Sequence, residues 1–236
     1  MSEKDLISLT IDGQEIAVER GTTLMDAAAR VEVSTPIICY HERTTPNGLC
    51  RQCVVEVEDW RTLAPACITE VSEGMKVTTD SERVLRARKT ILEMLNASVD
   101  LSQAPELHEQ METYGADPER FPGAKKREFD LLDDNPFYVR DYSQCVMCWR
   151  CVQACADDIQ YTYALAVGGR GHDSHIATFY DAPMPETTCV FCGHCVAVCP
   201  THALQDKTEF LLDKGLQFHE IRARRRKERR RKKGKE

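Results

Sequence analysis

The sequence predicts an α+β chain of small units: a mixed N-terminal domain, a helical linker and a compact cysteine-rich domain. Three observations predict it. Residues 6–18 alternate apolar and polar about Asp12 and Gly13 and lead into a capped helix; residues 82–96 repeat apolar positions at helical spacing. Between Cys145 and Cys199 the pattern C-x2-C-x2-C-x3-C occurs twice, 33 residues apart, and the second copy closes on Pro200. Seven Phe, seven Tyr and two Trp among 236 residues suit small cores better than one large one.

In chain order, Asp12 and Gly13 favour the left-handed angles of a two-residue turn, which makes residues 6–18 a β-hairpin. Thr23 with Asp26 three positions on reads as a capping box opening a short helix to Arg30, with Leu24, Ala27, Ala28 and Val31 on one face. Hairpin then helix is how a β-grasp domain begins. Cys39, Cys50, Cys53 and Cys67 follow at spacing C-x10-C-x2-C-x13-C. Four thiolates on loops beside a small sheet suit a [2Fe–2S] rhomb, in which each iron takes two protein sulfurs. A structural zinc ion held by the same four cysteines is the alternative. Pro36 stiffens the approach, Gly48 lets backbone amides come close, and Val54, Val55 and Val57 read as the strand leaving the site.

The helix from Ser81 carries Val84, Leu85, Ile91, Leu92 and Leu95 on its apolar stripe, with Arg88 the one polar interruption; its other Arg and Lys side chains face solvent or a partner. It closes a first domain of residues 1–95. Residues 96–140 form a linker without a cluster site: no cysteine lies between Cys67 and Cys145, and His108 alone holds no cluster. Leu107, Met111 and Tyr114 place a helix near Pro105 to Tyr114. A loop follows from Ala116, and Asp130 to Pro136 leads into the third unit, residues 141–210.

Three cysteines spaced by two residues wrap one loop around three irons of a cubane, and the fourth thiolate comes from elsewhere. Zinc sites favour two separated pairs, which these triplets do not offer. The doubled pattern resembles bacterial-type two-cluster ferredoxins. That resemblance implies that Cys199 completes the [4Fe–4S] site of Cys145, Cys148 and Cys151, while Cys155 completes that of Cys189, Cys192 and Cys195. Trp149 and Arg150 are candidate tuners, Arg150 favouring the reduced cluster if it points inward. Gly168 to Gly171 reads as a turn between strands, not a phosphate loop, and His172 and His175 as surface residues.

The charge of −7 is divided: residues 222–236 hold eleven Lys/Arg and two Glu, for +9, leaving −16 on the rest. The tail, residues 211–236, has no aromatic in its basic part to stack on a base, so docking on an acidic partner surface is preferred to a nucleic-acid arm. Met1 to Asp5 opens with charge rather than a signal sequence, and no run of 18 apolar residues predicts a membrane span. A cytoplasmic protein with its cysteines as metal ligands, not disulfides, is expected.

The spacing of the first four cysteines resembles the [2Fe–2S] domain shared by the large iron–sulfur subunit of complex I, NAD-linked formate dehydrogenases and NAD-linked hydrogenases. Cys151-Val-Gln-Ala-Cys155, Gly169-Arg170-Gly171 and Cys192-Gly-His-Cys195-Val-Ala-Val-Cys199-Pro200-Thr201 carry the likeness to the formate dehydrogenase alpha subunit's N-terminal region and the small diaphorase subunit of NAD-linked hydrogenase. Many of these relatives hold a further cluster on one His and three Cys in the linker, from which this chain departs. The resemblance implies one [2Fe–2S] and two [4Fe–4S] clusters relaying electrons between a flavin subunit reactive with NAD(H) and a separate catalytic subunit. A molybdenum or tungsten formate dehydrogenase is the expected catalytic partner, with a nickel–iron hydrogenase or a free-standing carrier role as alternatives. No catalytic residue is expected, since the chain shows no nucleophile–base pair and no G-x-G-x-x-G fingerprint.

Overall fold

The computed structural model describes residues 6–233; the charged start at Met1 to Asp5, residues 234–236 of the basic tail, and the side chains of 228, 229 and 231–233 lie outside the described residues. Strands β1 (Leu6–Ile11) and β2 (Gln14–Glu19) pair antiparallel from Leu6–Glu19 to Ile11–Gln14. Asp12 and Gly13 between them take φ of 48° and 82°, the left-handed pair that the turn requires. The Asp12 carboxylate also accepts from the Thr79 amide at 2.8 Å, tying the turn to the residue that follows the strand Lys76–Thr78.

Helix α1 (Leu24–Arg30) starts where expected, with Thr23 Oγ1 accepting from the Asp26 amide at 3.1 Å. It lays Leu24, Ala27 and Ala28 on a five-stranded sheet ordered β2-β1-β5-β3-β4, where β3 is Val54–Val57, β4 Ala64–Pro65 and β5 Lys76–Thr78. Strands β1 and β5 are parallel and the other pairs antiparallel.

Helix α2 (Glu82–Ser98) is capped by Ser81 and packs against both β3 and α3 (Pro105–Thr113). Two neighbours, not one, therefore set its buried stripe. Leu85, expected in that stripe, is exposed, and Arg88 is buried: its guanidinium donates to Val54 O at 2.9 Å and to the Tyr114 hydroxyl at 3.4 Å. Glu93 is buried too, accepting from the Asp117 amide at 3.0 Å and pairing with Arg120 at 3.1 Å. His108 meets Leu101 O at 2.9 Å, a packing role.

Strand β6 (Tyr138–Arg140) pairs antiparallel with β9 (Leu204–Asp206), bringing together the two ends of the cysteine-rich unit. Between them lie helix α4 (Arg150–Cys155), the hairpin β7 (Ala166–Gly168) and β8 (His175–Ala177), and helix α5 (His194–Ala197), which packs on α4. The hairpin turn needs Gly169, at φ 67°, because a Cβ there would meet Asp173 O at 2.3 Å. His172 is exposed as expected. His175 is not a surface residue but half-buried, its ring 5.2 Å from that of Phe129.

Helices α6 (Lys207–Asp213) and α7 (Phe218–Lys233) end the described chain. The basic tail is thus helical, and it is anchored: Ile221 is 1% exposed and Arg225 donates to Thr208 Oγ1 at 2.8 Å. Among the described residues, no helix is long and apolar enough to cross a membrane.

Candidate metal centres

Twelve free cysteines gather at three places. The first lies on the loop between α1 and β3 and just past β4. Gly48, at φ 61°, lets this loop close down; a Cβ there would come within 2.6 Å of Ile68 Cδ1. The Cys50 amide then donates to Cys39 Sγ at 3.4 Å, and the amides of Cys39 and Gln52 to Cys50 Sγ at 3.5 Å each. The thiols pair as Cys39 with Cys50 and Cys53 with Cys67. Side-chain hydrogen bonding from Cys39 lowers Cys50 to about 6, and from Cys67 lowers Cys53 to about 7. The same hydrogen bonds push Cys39 and Cys67 upward, so each pair shares one proton and gives it up when a metal takes its place.

The two later runs fold alike. In the first, Met147 and Trp149 take φ of 54° and 69°; at the matching positions of the second, Phe191 and Gly193 take 54° and 80°. At the first left-handed residue of each run the amide turns back onto the run's first sulfur, Met147 N to Cys145 Sγ at 3.4 Å and Phe191 N to Cys189 Sγ at 3.3 Å.

The sulfurs then group across the runs. Burial, followed by repulsion that includes Cys199, raises Cys145 to about 11 and Cys148 to about 12, and Cys151 is raised by burial and the same neighbours. Burial and then Cys155, Cys192 and Cys189 raise Cys195 to about 12. Cys155, Cys189, Cys192 and Cys195 line one cavity with Tyr138, Leu165 and Met184.

These donor sets fit iron–sulfur clusters. All ligating atoms are soft sulfurs, the walls are largely apolar, and thiols crowded enough to raise one another are relieved when cationic iron replaces their protons. Among the described residues no three His, Cys, Asp or Glu side chains converge on a single-ion site. A cluster spreads its thiolates over several irons and holds them further apart than one ion does. Gln52, between Cys50 and Cys53, is wholly buried with its side-chain amide unpartnered by protein, leaving a donor beside the first site.

Of the two candidate tuners, Arg150 is buried, with Nη1 3.5 Å from Val198 O, and its charge acts to lower Cys148; Trp149 is exposed. Sequence reasoning missed Tyr138, whose hydroxyl lies 3.1 Å from Cys189 Sγ, and the contact between the first and second sites. Asn47 Nδ2 donates to Cys148 O at 3.2 Å and to Gln153 Oε1 at 3.0 Å. Cys39 and Cys148 share an apolar cluster with Ile38, Leu92, Leu101 and Leu107. The only local signal was Asn47 standing before Gly48.

Residues 4–82 match the model of the 2Fe-2S iron-sulfur cluster binding domain, and residues 144–203 that of the 4Fe-4S dicluster domain. The chain is therefore an iron–sulfur protein with a 2Fe-2S domain followed by a 4Fe-4S dicluster domain. It is related to NADP-reducing hydrogenase subunit HndD of Solidesulfovibrio fructosivorans, 36% identical over 84% of this chain and 36% of that protein. NADPH-Fe(3+) oxidoreductase subunit alpha of Geobacter sulfurreducens is 35% identical over 86% of this chain and 24% of its own length. This chain thus spans about a quarter to a third of the curated relatives it matches. A chain in the crystal structure of NAD+-reducing [NiFe]-hydrogenase in the H2-reduced state superposes with a TM-score of 0.76 at 25% identity, covering 85% of this chain and 87% of that one.

Proposed function

We propose that this chain is an electron-relay subunit of an NAD(P)-linked oxidoreductase complex, standing between a flavin subunit reactive with NAD(P)(H) and a separate hydrogen-converting subunit. Cys39, Cys50, Cys53 and Cys67 would hold a [2Fe–2S] cluster, and the two groups joined across the later runs a [4Fe–4S] cluster each. When bound, each cluster takes up and releases one electron. The chain's own residues supply the thiolates, exclude water with apolar walls and point amides at sulfur, where they favour the reduced charge.

The observation that carries this reading is that Cys39 and Cys148, from two different cysteine sites, lie in one apolar cluster. Adjacent sites are what a relay needs and what independent structural metal sites do not. Formate was the foremost expectation from the sequence. The relatives reported above include two hydrogenase proteins, one matched over 87% of its chain, and this inclines the proposal to hydrogen.

The test is anaerobic purification through a tag on this chain, followed by hydrogen- and formate-dependent reduction of NAD and NADP measured side by side. Hydrogen-dependent reduction is expected. Formate-dependent reduction alone moves the chain to a formate dehydrogenase, and a lone chain that only shuttles electrons overturns the subunit reading.

A further inference from the structure

We propose that Tyr138 sets the reduction potential of the site formed by Cys155, Cys189, Cys192 and Cys195, by donating a hydrogen bond from its hydroxyl to Cys189 Sγ. This rests on the reading of those four cysteines as ligands of a four-iron cluster.

The tyrosine is built into place. Asn135 Oδ1 accepts from the amides of Phe137 and Tyr138 at 3.0 Å each, fixing the start of β6, and Tyr138 pairs with Asp206 of β9. Its buried ring packs at a tilt on Phe191, centroids 6.0 Å apart, and lines the cavity that the four sulfurs share. From there the hydroxyl reaches Cys189 Sγ at 3.1 Å.

An iron-bound thiolate carries no proton, so the hydroxyl is the donor. One-electron reduction makes the sulfur more negative, and a fixed donor in a buried, apolar setting stabilises that state more than the oxidised one. The potential rises. The electron comes from the external reductant, the tyrosine keeps its proton, and no covalent bond forms or breaks.

Among the described residues, no tyrosine hydroxyl makes a hydrogen bond to a sulfur of the other cubane site. The hydroxyl that bonds one of its sulfurs is Thr201 Oγ1, a long 3.9 Å from Cys199 Sγ, whereas the Tyr138 site gains a second hydroxyl in Thr162 Oγ1, 3.4 Å from Cys155 Sγ. Tyr138 therefore makes the two cubane sites unequal despite their matching loops.

The full chain, purified anaerobically, is titrated with dithionite while each reduced signal is followed by electron paramagnetic resonance. Tyr138→Phe keeps the ring and removes the donor. It should lower the midpoint of one four-iron signal alone, an occupancy shift of about tenfold at fixed poise, or about 59 mV for one electron. 3-Fluorotyrosine placed at position 138 by amber suppression is a stronger donor and should move the same midpoint upward. Unmoved midpoints in both chains at full iron content overturn the proposal. So does a Tyr138→Phe chain that loses iron while the fluorotyrosine chain titrates like the unsubstituted protein, which makes Tyr138 a packing residue. An unsubstituted chain lacking two four-iron signals refutes the ligand reading itself, a distinct result.

Discussion

Thr45 and Asp158, 113 positions apart in sequence, are joined by two hydrogen bonds: the Thr45 amide and hydroxyl donate to the two carboxylate oxygens at 2.7 and 2.8 Å. Gln153 Nε2 adds a bond to Thr45 O at 2.6 Å. This latch holds the loop before Cys50 against helix α4 and the turn that follows it. Asp158→Ala should release it, at about 1–2 kcal/mol for charge-assisted bonds at an exposed edge. Hydrogen exchange at the Thr45 amide should speed up by about tenfold or more, a tenfold change being about 1.4 kcal/mol. Unchanged protection would show that the two segments hold each other without the latch.

The crossed grouping of the later cysteines predicts which signal each substitution destroys. Cys155→Ala should remove the four-iron signal sensitive to Tyr138→Phe, and Cys199→Ala the other. Loss of the signal belonging to the same sequence run in either case would mean that the sites are not crossed.

Gly48→Ala puts a side chain at φ 61° and against Ile68. Left-handed backbone costs an L-residue about 1–2 kcal/mol, and the contact adds to it. Thermal unfolding should fall accordingly, and adding Ile68→Val should restore the contact part but not the backbone part. Full recovery in the double variant would place the whole cost in the contact.

Arg140, 2% exposed, pairs with Asp134, whose carboxylate also accepts from the Met184 amide at 2.8 Å. Burial works against the Asp134 carboxylate, but the Met184 amide, Asn135 and Arg140 outweigh it and hold its pKa below the ordinary value. A lowered folded value contributes stability above the unfolded pKa of about 3.9 and loses it as pH falls through the folded one. Asp134→Asn should destabilise the protein by about 2–3 kcal/mol at pH 7, near the low end for breaking a buried pair because Asp134 keeps some exposure. The deficit should shrink below about pH 4. Equal deficits at pH 7 and pH 3 in urea denaturation would remove Asp134 as the titrating group.

What was legible in the sequence was local. The Asp12–Gly13 turn, the Thr23 cap, the helices from Ser81 and Pro105 and the cysteine spacings each depend on neighbours within a few positions, so their residue types announce them. Arg88 was legible only as an interruption, because its partners, Val54 and Tyr114, lie 34 and 26 residues away. The Thr45–Asp158 latch and the Tyr138 hydroxyl were invisible for the same reason. A lone tyrosine or threonine has no periodicity, and the sulfur it meets is named by the fold alone.

Of the twelve cysteines, Cys192 is the exposed one. Solvent reaches that residue more readily than the other eleven, so loss of iron from the isolated chain in air is expected to begin at the site of Cys155, Cys189, Cys192 and Cys195. A partner that covered Cys192 would shield that site, and the order in which iron is lost in air would then gauge whether such a partner is in place.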